Sequence, residues 1–188
     1  MRKLPPDFEL DRYGIHVRLV QENDAPFITA LRSEEDLAKY LHLGDGDVEK
    51  QRKWIADYKF REKEGTEYYF IFFINGDPFG LHRLYDIDWI HLSFVQGSWI
   101  CKKGMPYGQC VTTSVIGLEI AYDILGLVIE FSDVRKDNKA ILSFHRNVRH
   151  SIEYGETESD VLFLSTPESR SHSRVKRLLG LPENGIPV

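Results

Sequence analysis

The stretch "GSWICKKGMPYGQCVTTSVIGLEIAYDILGLVIEFSDV", Gly97 to Val134, carries the pattern that decides the fold. Its first residues complete the strand pattern of "FVQGSWICKK", and a short loop with two glycines and a proline follows. A helical pattern then begins at Val111 and ends at Gly126, a predicted C-cap, before the apolar strand "LVIEFSDV". This strand–helix–strand order predicts a right-handed crossover between two parallel strands.

The residues before this unit predict a strand, two helices and a hairpin. "GIHVRLV" (Gly14–Val20) alternates apolar and polar residues, as a half-buried strand does. Asp24 is a candidate N-cap of a helix that breaks near Ser33, and a second helix ends at Gly65. The apolar face of the first helical region comprises Phe27, Ile28, Leu31, Leu37 and Leu41. A hairpin follows, with Tyr69–Ile74 as its first strand, "NGDP" (Asn75–Pro78) as its turn and Phe79 opening the second strand.

The residues after the unit predict a short helix, a strand pair and a last helix. The helix is "NKAILSFHRNV", and the strands are "SIEYGE" and "DVLFLST". The last helix has Thr166 as N-cap, Pro167 at its first position and Gly180 at its end. We therefore expect an α/β (α+β) fold with a mixed, mostly antiparallel central sheet flanked by helices. Residues 1–166 form one domain, and residues 167–188 form a C-terminal helix and tail.

Composition excludes several classes of function. Of 188 residues, 42% are hydrophobic and 28% are charged, which is enough apolar material for a core. The net charge of −5 provides no electrostatic footprint for nucleic acid. The sequence has no long apolar run that predicts a signal peptide or a membrane span, so we expect a cytoplasmic protein that does not bind a membrane. We expect a monomer or a homodimer. Cys101 and Cys110 form no CxxC pair and have no histidine at ligand spacing, so we expect reduced thiols and no metal.

The loop before Val111 has two interpretations. It is a simple strand-to-helix turn, or it binds an anion through backbone N–H groups at the positive end of a helix dipole. Thr112 and Thr113 add hydroxyl groups, and Lys102 and Lys103 add positive charge. The loop lacks both GxxxxGK[ST] and GxGxxG, so it is not a nucleotide P-loop or a dinucleotide-binding turn.

The order of elements from Gly14 to Thr166 resembles that of the GNAT N-acetyltransferases, which use acetyl-coenzyme A. The similarity is greatest to the subgroup with ribosomal-protein N-terminal acetyltransferases and amino-sugar acetyltransferases. "IHVRLVQENDAPFITALRSEEDLAKYL" is similar to the opening of that subgroup, and "FGLHRLYDID" to its central hairpin. "VRKDNKAILSFHRNV" resembles its most specific motif. The resemblance implies a GNAT-like fold with acetyl-coenzyme A as co-substrate and no metal.

The resemblance also implies a set of coenzyme-binding residues. The family binds the pyrophosphate at a loop with a pattern near [RQ]xxGx[GA], and the matching hexad here runs from Met105 to Cys110. Only Gly108 matches cleanly, which implies binding through backbone amides. The strand before the loop would contact the pantetheine arm from one side, and Asn138 would contact it from the other. The expected coenzyme-binding residues are Trp99, Ile100, Cys101, Met105, Tyr107, Gly108, Gln109, Cys110, Thr112 and Asn138.

The resemblance further implies catalytic roles. The family usually has a tyrosine seven residues after the motif asparagine, where it protonates the departing thiolate. This chain has His145, whose imidazolium is a possible proton donor near neutral pH, or which is simply a surface histidine next to Arg146. The amide N–H of Ile100 is the candidate oxyanion donor. The general base stays open among Asp86, Asp88, His91, Asp133 and a water chain, and each of these side chains also fits a plain surface charge.

The resulting hypothesis is an acetyl-coenzyme A-dependent N-acetyltransferase that acetylates a primary amine by direct attack in a ternary complex. The acceptor is a small molecule or a peptide: an amino sugar on a nucleotide carrier and a protein N-terminus both fit. One alternative is a coenzyme A-binding protein of the same fold without catalysis. Another is a transferase that uses a different acyl donor.

Overall fold

The computed structural model describes residues 2–34 and 46–186. Leu37 and Leu41, predicted on the first helical face, lie outside the described residues. The strands are β1 Glu9–Arg12, β2 Ile15–Leu19, β3 Tyr68–Ile74, β4 Asp77–Asp88, β5 Ser93–Cys101, β6 Ile129–Arg135, β7 Ile152–Glu156 and β8 Asp160–Ser165. The helices are α1 Ala25–Ser33, α2 Val48–Glu64, α3 Tyr107–Glu119, α4 Lys139–Phe144, α5 Pro167–Ser171 and α6 Val175–Leu179.

All eight strands form one sheet in the order β1-β2-β3-β4-β5-β6-β8-β7. Neighbouring strands are antiparallel except β5 and β6, which are parallel and joined through α3. The prediction of a mixed, mostly antiparallel sheet with one crossover unit is confirmed. Strand β1 was not predicted, because its residues are exposed or half-buried and carry no apolar alternation.

Helices cover the two faces of the sheet. On the face that we call the α2 face, α1 and α2 pack through Ile28, Leu31 and Ile55 against β3 and β4. On the opposite face, which we call the α3 face, α3 packs through Ile116 and its C-terminal residues against strands β2 to β5. Among the described residues, every helix is too short or too polar to cross a bilayer.

Local signals explain where several elements begin and end. The side chain of Asp47 accepts hydrogen bonds from the N–H groups of Glu49 and Lys50 and so caps α2. Gly65 ends α2 in the left-handed conformation that glycine adopts without steric cost. Asn75 and Gly76 both have positive φ, which matches the twist of a two-residue hairpin turn.

Two helix boundaries differ from the sequence prediction. Helix α3 begins at Tyr107, four residues before Val111, because the Pro106 carbonyl accepts hydrogen bonds from the N–H groups of Gln109 and Cys110. The first turn of α3 is half-buried and has no apolar periodicity. The hydrophobic pattern therefore predicted only the residues from Val111 onward, which face the core. The predicted last helix is two short helices, α5 and α6, although Thr166 and Gly180 cap them as expected.

Candidate active site

Strands β5 and β6 separate along their length and open a gap in the sheet. They pair only at Ser93↔Ile129, Phe94↔Glu130 and Val95↔Phe131, although both strands continue beyond these residues. The gap therefore begins after the Val95–Phe131 pair, and we call it the β5–β6 gap. Along the gap, β5 and β6 form no hydrogen bonds with each other. The backbone groups that face the gap can therefore bind an extended ligand.

A β-bulge in β5 lies beside this gap. On β4, Leu81 pairs with Ile100 and Arg83 pairs with Gly97, so Ser98 and Trp99 together face one β4 residue, His82. Ser98 has a φ of 48°, the left-handed conformation that the extra residue requires. The bulge turns the backbone of β5 at the point where β6 has already moved away.

The buried ring of His82 supports the bulge from the α3 face. Its Nε2 lies 3.1 Å from Oε1 of Gln96, to which it donates a hydrogen bond. On its other side, a Cβ atom on Gly117 of α3 would lie only 2.1 Å from Nδ1 of His82, so this position requires glycine. Burial lowers the pKa of His82 to about 4, so the ring is neutral at physiological pH.

The amide of Ile100 does not face the gap, and the prediction that it stabilises the oxyanion is wrong. The N–H of Lys102 donates to the carbonyl of Phe79 at 2.8 Å. Because hydrogen-bonded and non-hydrogen-bonded pairs alternate in an antiparallel ladder, the N–H of Ile100 is directed at Leu81 of β4. The N–H of Cys101 points the opposite way, toward the side of β5 on which the gap lies.

The loop before α3 offers a cluster of backbone N–H groups. Gly104 has a φ of 79°, and the first turn of α3 follows two residues later. The N–H groups of Gln109 and Cys110 bond to Pro106, which leaves those of Tyr107 and Gly108 at the open end of the helix. A Cβ atom on Gly108 would meet Cδ2 of Leu179 in α6 at 3.5 Å, so α6 borders this helix end.

Several side chains of the predicted coenzyme-binding set are already engaged within the fold. Met105 packs against the core of the α3 face. The hydroxyl of Thr112 is buried and donates to the Gly108 carbonyl at 2.7 Å, so it is not directed at the loop as we predicted. The indole Nε1 of Trp99 lies 3.1 Å from both the Cys110 carbonyl and Oγ1 of Thr113. Gln109 is half-buried in the first turn of α3.

Cys101 and Cys110 form a disulfide, which corrects the prediction of reduced thiols. Their Cα atoms are 6.0 Å apart, within the range that a disulfide spans, because the loop returns the chain from β5 to the first turn of α3. The bond closes the segment that contains the candidate anion-binding loop. A separation of nine residues does not by itself predict this contact. The two cysteines approach each other because α3 begins at Tyr107, which brings Cys110 back next to β5.

Asn138 is the N-cap residue of α4, the helix that follows β6. Its Oδ1 accepts the N–H of Ile141 at 3.3 Å and caps the helix, so its Nδ2 group remains for a ligand. An apolar pocket of about 210 Å³ lies between α3, α4 and α6. It is lined by Val111, Ala140, Ser143, Phe144, Val148, Val175, Leu178 and Leu179.

His145 is neither an exposed histidine nor a charged one. Only 4% of its surface is accessible, its ring stacks on Phe163 of β8 at 4.6 Å, and its Nδ1 lies 3.1 Å from Oγ of Ser151. Burial, reinforced by the nearby positive charge of Arg149, lowers the pKa of His145 to about 3. The prediction that an imidazolium at this position protonates the thiolate near neutral pH is therefore wrong, because the ring is neutral there.

A buried ion pair lies next to His145 on the α3 face. Arg149 donates two hydrogen bonds to the carboxylate of Glu130 at 2.8 and 2.5 Å, and the hydroxyl of Tyr122 donates a third at 2.6 Å. Burial alone would raise the pKa of Glu130, but Arg149 and these hydrogen bonds outweigh it and lower that pKa. No sequence pattern predicted this pair, which connects β6 to the residues that follow α4.

The candidate general bases separate into two groups. Asp88 accepts hydrogen bonds from the N–H groups of Ile90 and His91, and its Oδ2 lies 2.6 Å from Nδ1 of His91, so these residues stabilise the β4–β5 turn. Asp86, which has a φ of 49°, lies at the same end of β4. Ser93, where the turn ends, is four residues from Gly97 at the start of the bulge. At about 3.3 Å per residue, the turn is therefore about 13 Å from the bulge. Of the four side chains, only Asp133 lies on a strand that borders the β5–β6 gap.

A larger pocket of about 280 Å³ lies further along α3, next to the C-terminal segment. Its charged groups are mostly paired: Glu119 accepts from Arg12 and lies 2.6 Å from Nζ of Lys176. In the described part of the chain, no group of three or more His, Cys, Asp or Glu side chains has the arrangement of a metal site.

Comparison with known proteins identifies the family. No protein-family model matches the chain, and no curated protein does. Among solved structures, apo FdhC, a nucleotide-linked sugar GNAT, is 31% identical, with a TM-score of 0.81 over 94% of this chain and 99% of its own. The chain belongs to the GNAT acetyltransferases. It is therefore an enzyme of the acyltransferase class, as the sequence resemblance predicted.

More distant structures share the fold of this GNAT acetyltransferase. The ribosomal-protein-S5-alanine acetyltransferase from Vibrio fischeri is 13% identical, with a TM-score of 0.71 over 85% of this chain and 97% of its own. The spermidine N-acetyltransferase from Vibrio cholerae in complex with coenzyme A and spermine is 16% identical, with a TM-score of 0.68 over 86% of this chain and 100% of its own.

Proposed function

We propose that this GNAT acetyltransferase transfers the acetyl group of acetyl-coenzyme A to the primary amine of a nucleotide-linked amino sugar by direct attack in a ternary complex. The observation that carries the proposal is the β5–β6 gap with its bulge, next to the open N-terminal end of α3. An extended ligand in this gap would have free backbone groups to bind, the open helix end near its anionic part and the bulge beside its reacting part.

The α3 face supports the coenzyme part of the proposal. The N–H groups of Tyr107 and Gly108 at the start of α3 can bind a pyrophosphate without any side chain. The gap between β5 and β6 accommodates the pantetheine arm, whose amides match the unpaired strand edges. The apolar pocket between α3, α4 and α6 suits the less polar parts of the coenzyme, and Nδ2 of Asn138 lies at the same end of α4.

Backbone groups can also supply the oxyanion contact. In acetyl transfer the thioester carbonyl gains negative charge as the amine attacks, and a fixed N–H donor lowers the barrier. We assign this role to a peptide group of the bulge, because the β5 backbone turns there beside the gap. Holding the two substrates in line at this point supplies much of the remaining acceleration.

The α2 face supports a phosphorylated acceptor. A pocket of about 190 Å³ between α1 and α2 is lined by Thr29, Arg32, Gly46, Asp47, Lys50, Gln51 and Trp54. Arg32 and Lys50 give this pocket two cationic side chains against the single carboxylate of Asp47, which favours a phosphate group over a polyamine. The guanidinium of Arg83 lies 5.2 Å from the Trp54 ring and 4.7 Å from the Tyr85 ring, so these side chains connect the pocket with the gap.

FdhC supports the same acceptor class, because it is a nucleotide-linked sugar GNAT and is 31% identical to this chain. The acetyltransferases for ribosomal protein and spermidine are 13–18% identical and share the fold alone.

Two measurements test the proposal. Calorimetry with acetyl-coenzyme A is expected to show one site per chain, and no binding at millimolar ligand would contradict the coenzyme assignment. A thiol-release assay then compares a nucleoside diphosphate-linked amino hexose, a tripeptide with a free N-terminus and spermidine. We expect the nucleotide-linked amine to react fastest and Lys50→Gln to raise its KM; faster reaction with the peptide or spermidine would overturn the acceptor assignment.

The same experiments address the alternatives. A coenzyme-binding protein without catalysis would bind acetyl-coenzyme A and release no thiol with any amine. A transferase for another acyl donor would release thiol faster with that donor, and mass spectrometry of the coenzyme that copurifies with the protein would reveal its acyl group.

A further inference from the structure

Asp133 lies opposite the bulge across the β5–β6 gap. The parallel register runs through Val95↔Phe131, and two further residues on each strand bring Gly97 level with Asp133. Ser132 and Val134 are buried toward the α3 face, whereas Asp133 is exposed. Because side chains alternate along a strand, the carboxylate of Asp133 is directed to the α2 face. It therefore faces the acceptor side of the gap, opposite the side that we assign to the coenzyme.

Tyr85 lies on the same face, directly over the start of the bulge. It pairs with Val95, and its ring covers Gly97 so closely that a Cβ atom there would lie 2.9 Å from Cε1 and 3.3 Å from the hydroxyl oxygen of Tyr85. The guanidinium of Arg83 lies 4.7 Å from the centre of the Tyr85 ring, and its Nε donates a 2.6 Å hydrogen bond to Glu67. The phenol is thus held in place at the edge of the gap.

The charges around Tyr85 show that its hydroxyl is within the field of Asp133. Burial is the main cause that raises the pKa of Tyr85 to about 12, and the negative charge of Asp133 is the second. Asp86 and Glu67 act in the same direction more weakly, and Arg83 opposes them. The phenol is therefore neutral at physiological pH and can donate a hydrogen bond.

We propose that Asp133 binds the ammonium group of the acceptor and accepts its proton, and that Tyr85 positions the amine against the bulge. This inference rests on the proposed acetyl transfer. A carboxylate at the gap both attracts a cationic amine and removes the proton that blocks its lone pair. Gly97 is required because any side chain there would displace the Tyr85 ring, and the Tyr85 hydroxyl would contact the amine beside this position.

The R–NH3⁺ group gives one proton to the Asp133 carboxylate, and the freed nitrogen lone pair attacks the thioester carbonyl carbon. The C–S bond then breaks, and the sulfur leaves with its electron pair as a thiolate. The attacking nitrogen loses a second proton, so that one proton ends on the thiol of coenzyme A and one is released to water.

Asp133→Asn tests the role of the carboxylate, with Asp77→Asn at the exposed start of β4 as the matched control. With the amine that reacts fastest in the panel, we expect Asp133→Asn to lower kcat/KM at pH 7 by a factor on the order of 10²–10⁴. The loss should shrink as pH rises, since the amine then loses its proton without help. Calorimetry should give the same acetyl-coenzyme A affinity for wild type and both variants, which separates this loss from misfolding.

Hydroxylamine provides a second acceptor that is mostly unprotonated at neutral pH. We expect Asp133→Asn to change its rate of acetylation by only a few-fold, because no proton has to be removed first. Tyr85→Phe, which keeps the ring over Gly97, should lower kcat/KM for the panel amine by roughly 3- to 10-fold through the lost hydrogen bond.

The outcomes distinguish the two proposals. If wild type turns over the amine and Asp133→Asn stays within threefold of it at pH 7, the assignment of Asp133 is overturned while acetyl transfer stands. If Asp133→Asn slows hydroxylamine and the amine equally, the carboxylate does not act as the base, which also overturns it. If wild type releases no thiol with any acceptor, the proposed function fails, and this inference fails with it.

Discussion

The two sides of the β5–β6 gap are built in different ways. On the α3 face, backbone N–H groups, a disulfide, neutral buried histidines and the buried Glu130–Arg149 pair surround the site that we assign to the coenzyme. On the α2 face, the groups near the gap are an exposed carboxylate, Asp133, and a half-buried phenol, Tyr85. The groups on the coenzyme side are therefore buried in the core, whereas those on the acceptor side are exposed or half-buried at the surface.

This difference predicts that changes on the two sides have different consequences. Removing a group from the α3 face should lower stability or coenzyme affinity, because those groups hold the core together. Changing Asp133 on the α2 face should lower turnover with little effect on folding.

Arg149→Met should have the largest effect, because it leaves the carboxylate of Glu130 buried without its partner. We expect a loss of about 3–5 kcal/mol in the free energy of unfolding, measured by chemical denaturation. Arg146→Met, which removes the exposed partner of Glu153, is the control and should leave the unfolding midpoint almost unchanged. If both variants lowered the free energy of unfolding equally, the buried Arg149–Glu130 pair would contribute no more to stability than the exposed Arg146–Glu153 pair, which would contradict this prediction.

Acid should destabilise the protein through its two buried histidines. His145 and His82 have folded-state pKa values of about 3 and about 4, below the ordinary value of 6.5. Below pH 6.5 the unfolded chain binds protons that the folded chain does not, so stability falls as pH falls toward these values. Between pH 7 and pH 5 we expect a loss of about 2 kcal/mol for each histidine, measured from urea unfolding curves.

His145→Phe provides the test for the pH effect. The phenyl ring can keep the stack on Phe163 but cannot be protonated, so the pH dependence of unfolding should flatten by about half. Turnover should stay within a few-fold of wild type, because the neutral imidazole is no proton donor. A pH dependence identical to that of wild type, or loss of turnover with folding intact, would contradict this account.

Reduction of the Cys101–Cys110 disulfide should lower the free energy of unfolding by about 2–3 kcal/mol, since the bond restricts the unfolded chain over a short loop. Unfolding curves with and without dithiothreitol measure this change. The double variant Cys101→Ser/Cys110→Ser is the control and should not respond to the reductant. Two titratable thiols in the native protein, purified without reductant, would contradict the disulfide.

Gly108 should affect coenzyme affinity more than stability. We expect Gly108→Val to raise the dissociation constant of acetyl-coenzyme A about tenfold, because its side chain would extend between the helix end and Leu179. Gly108→Ala should raise it less and should stabilise α3 slightly, since alanine favours a helix over glycine. Calorimetry and unfolding curves on both variants measure these effects, and an unchanged dissociation constant for Gly108→Val would exclude this helix end as the pyrophosphate site.

Local patterns were sufficient to predict most of the fold. The hairpin turn at Asn75–Gly76, the cap of α2 at Gly65 and the crossover through α3 all depend on residues close together in sequence, and the structure confirms each. The strand β1 was missed because its residues are too exposed to alternate. The family was also predicted from local motifs, because their order along the chain matches the order of the elements.

The side-chain chemistry of the site was much less predictable. The contact between Glu130 and Arg149 depends on how α4 packs on the sheet, and no spacing in the sequence signals it. His145 was assigned a charge because its burial against Phe163 is a tertiary property. The direction of the Ile100 amide depends on the register of β4 with β5. A bulge that adds one residue to β5 sets that register, and the sequence does not reveal the bulge.

A crystal structure of the protein with acetyl-coenzyme A would test the central claim most directly. The account predicts the pantetheine arm between β5 and β6 beyond the Val95–Phe131 pair, the pyrophosphate at the N–H groups of Tyr107 and Gly108, and the thioester next to the bulge at Gly97. A coenzyme that lies instead in the 280 Å³ pocket along α3, with β5 and β6 untouched, would contradict it.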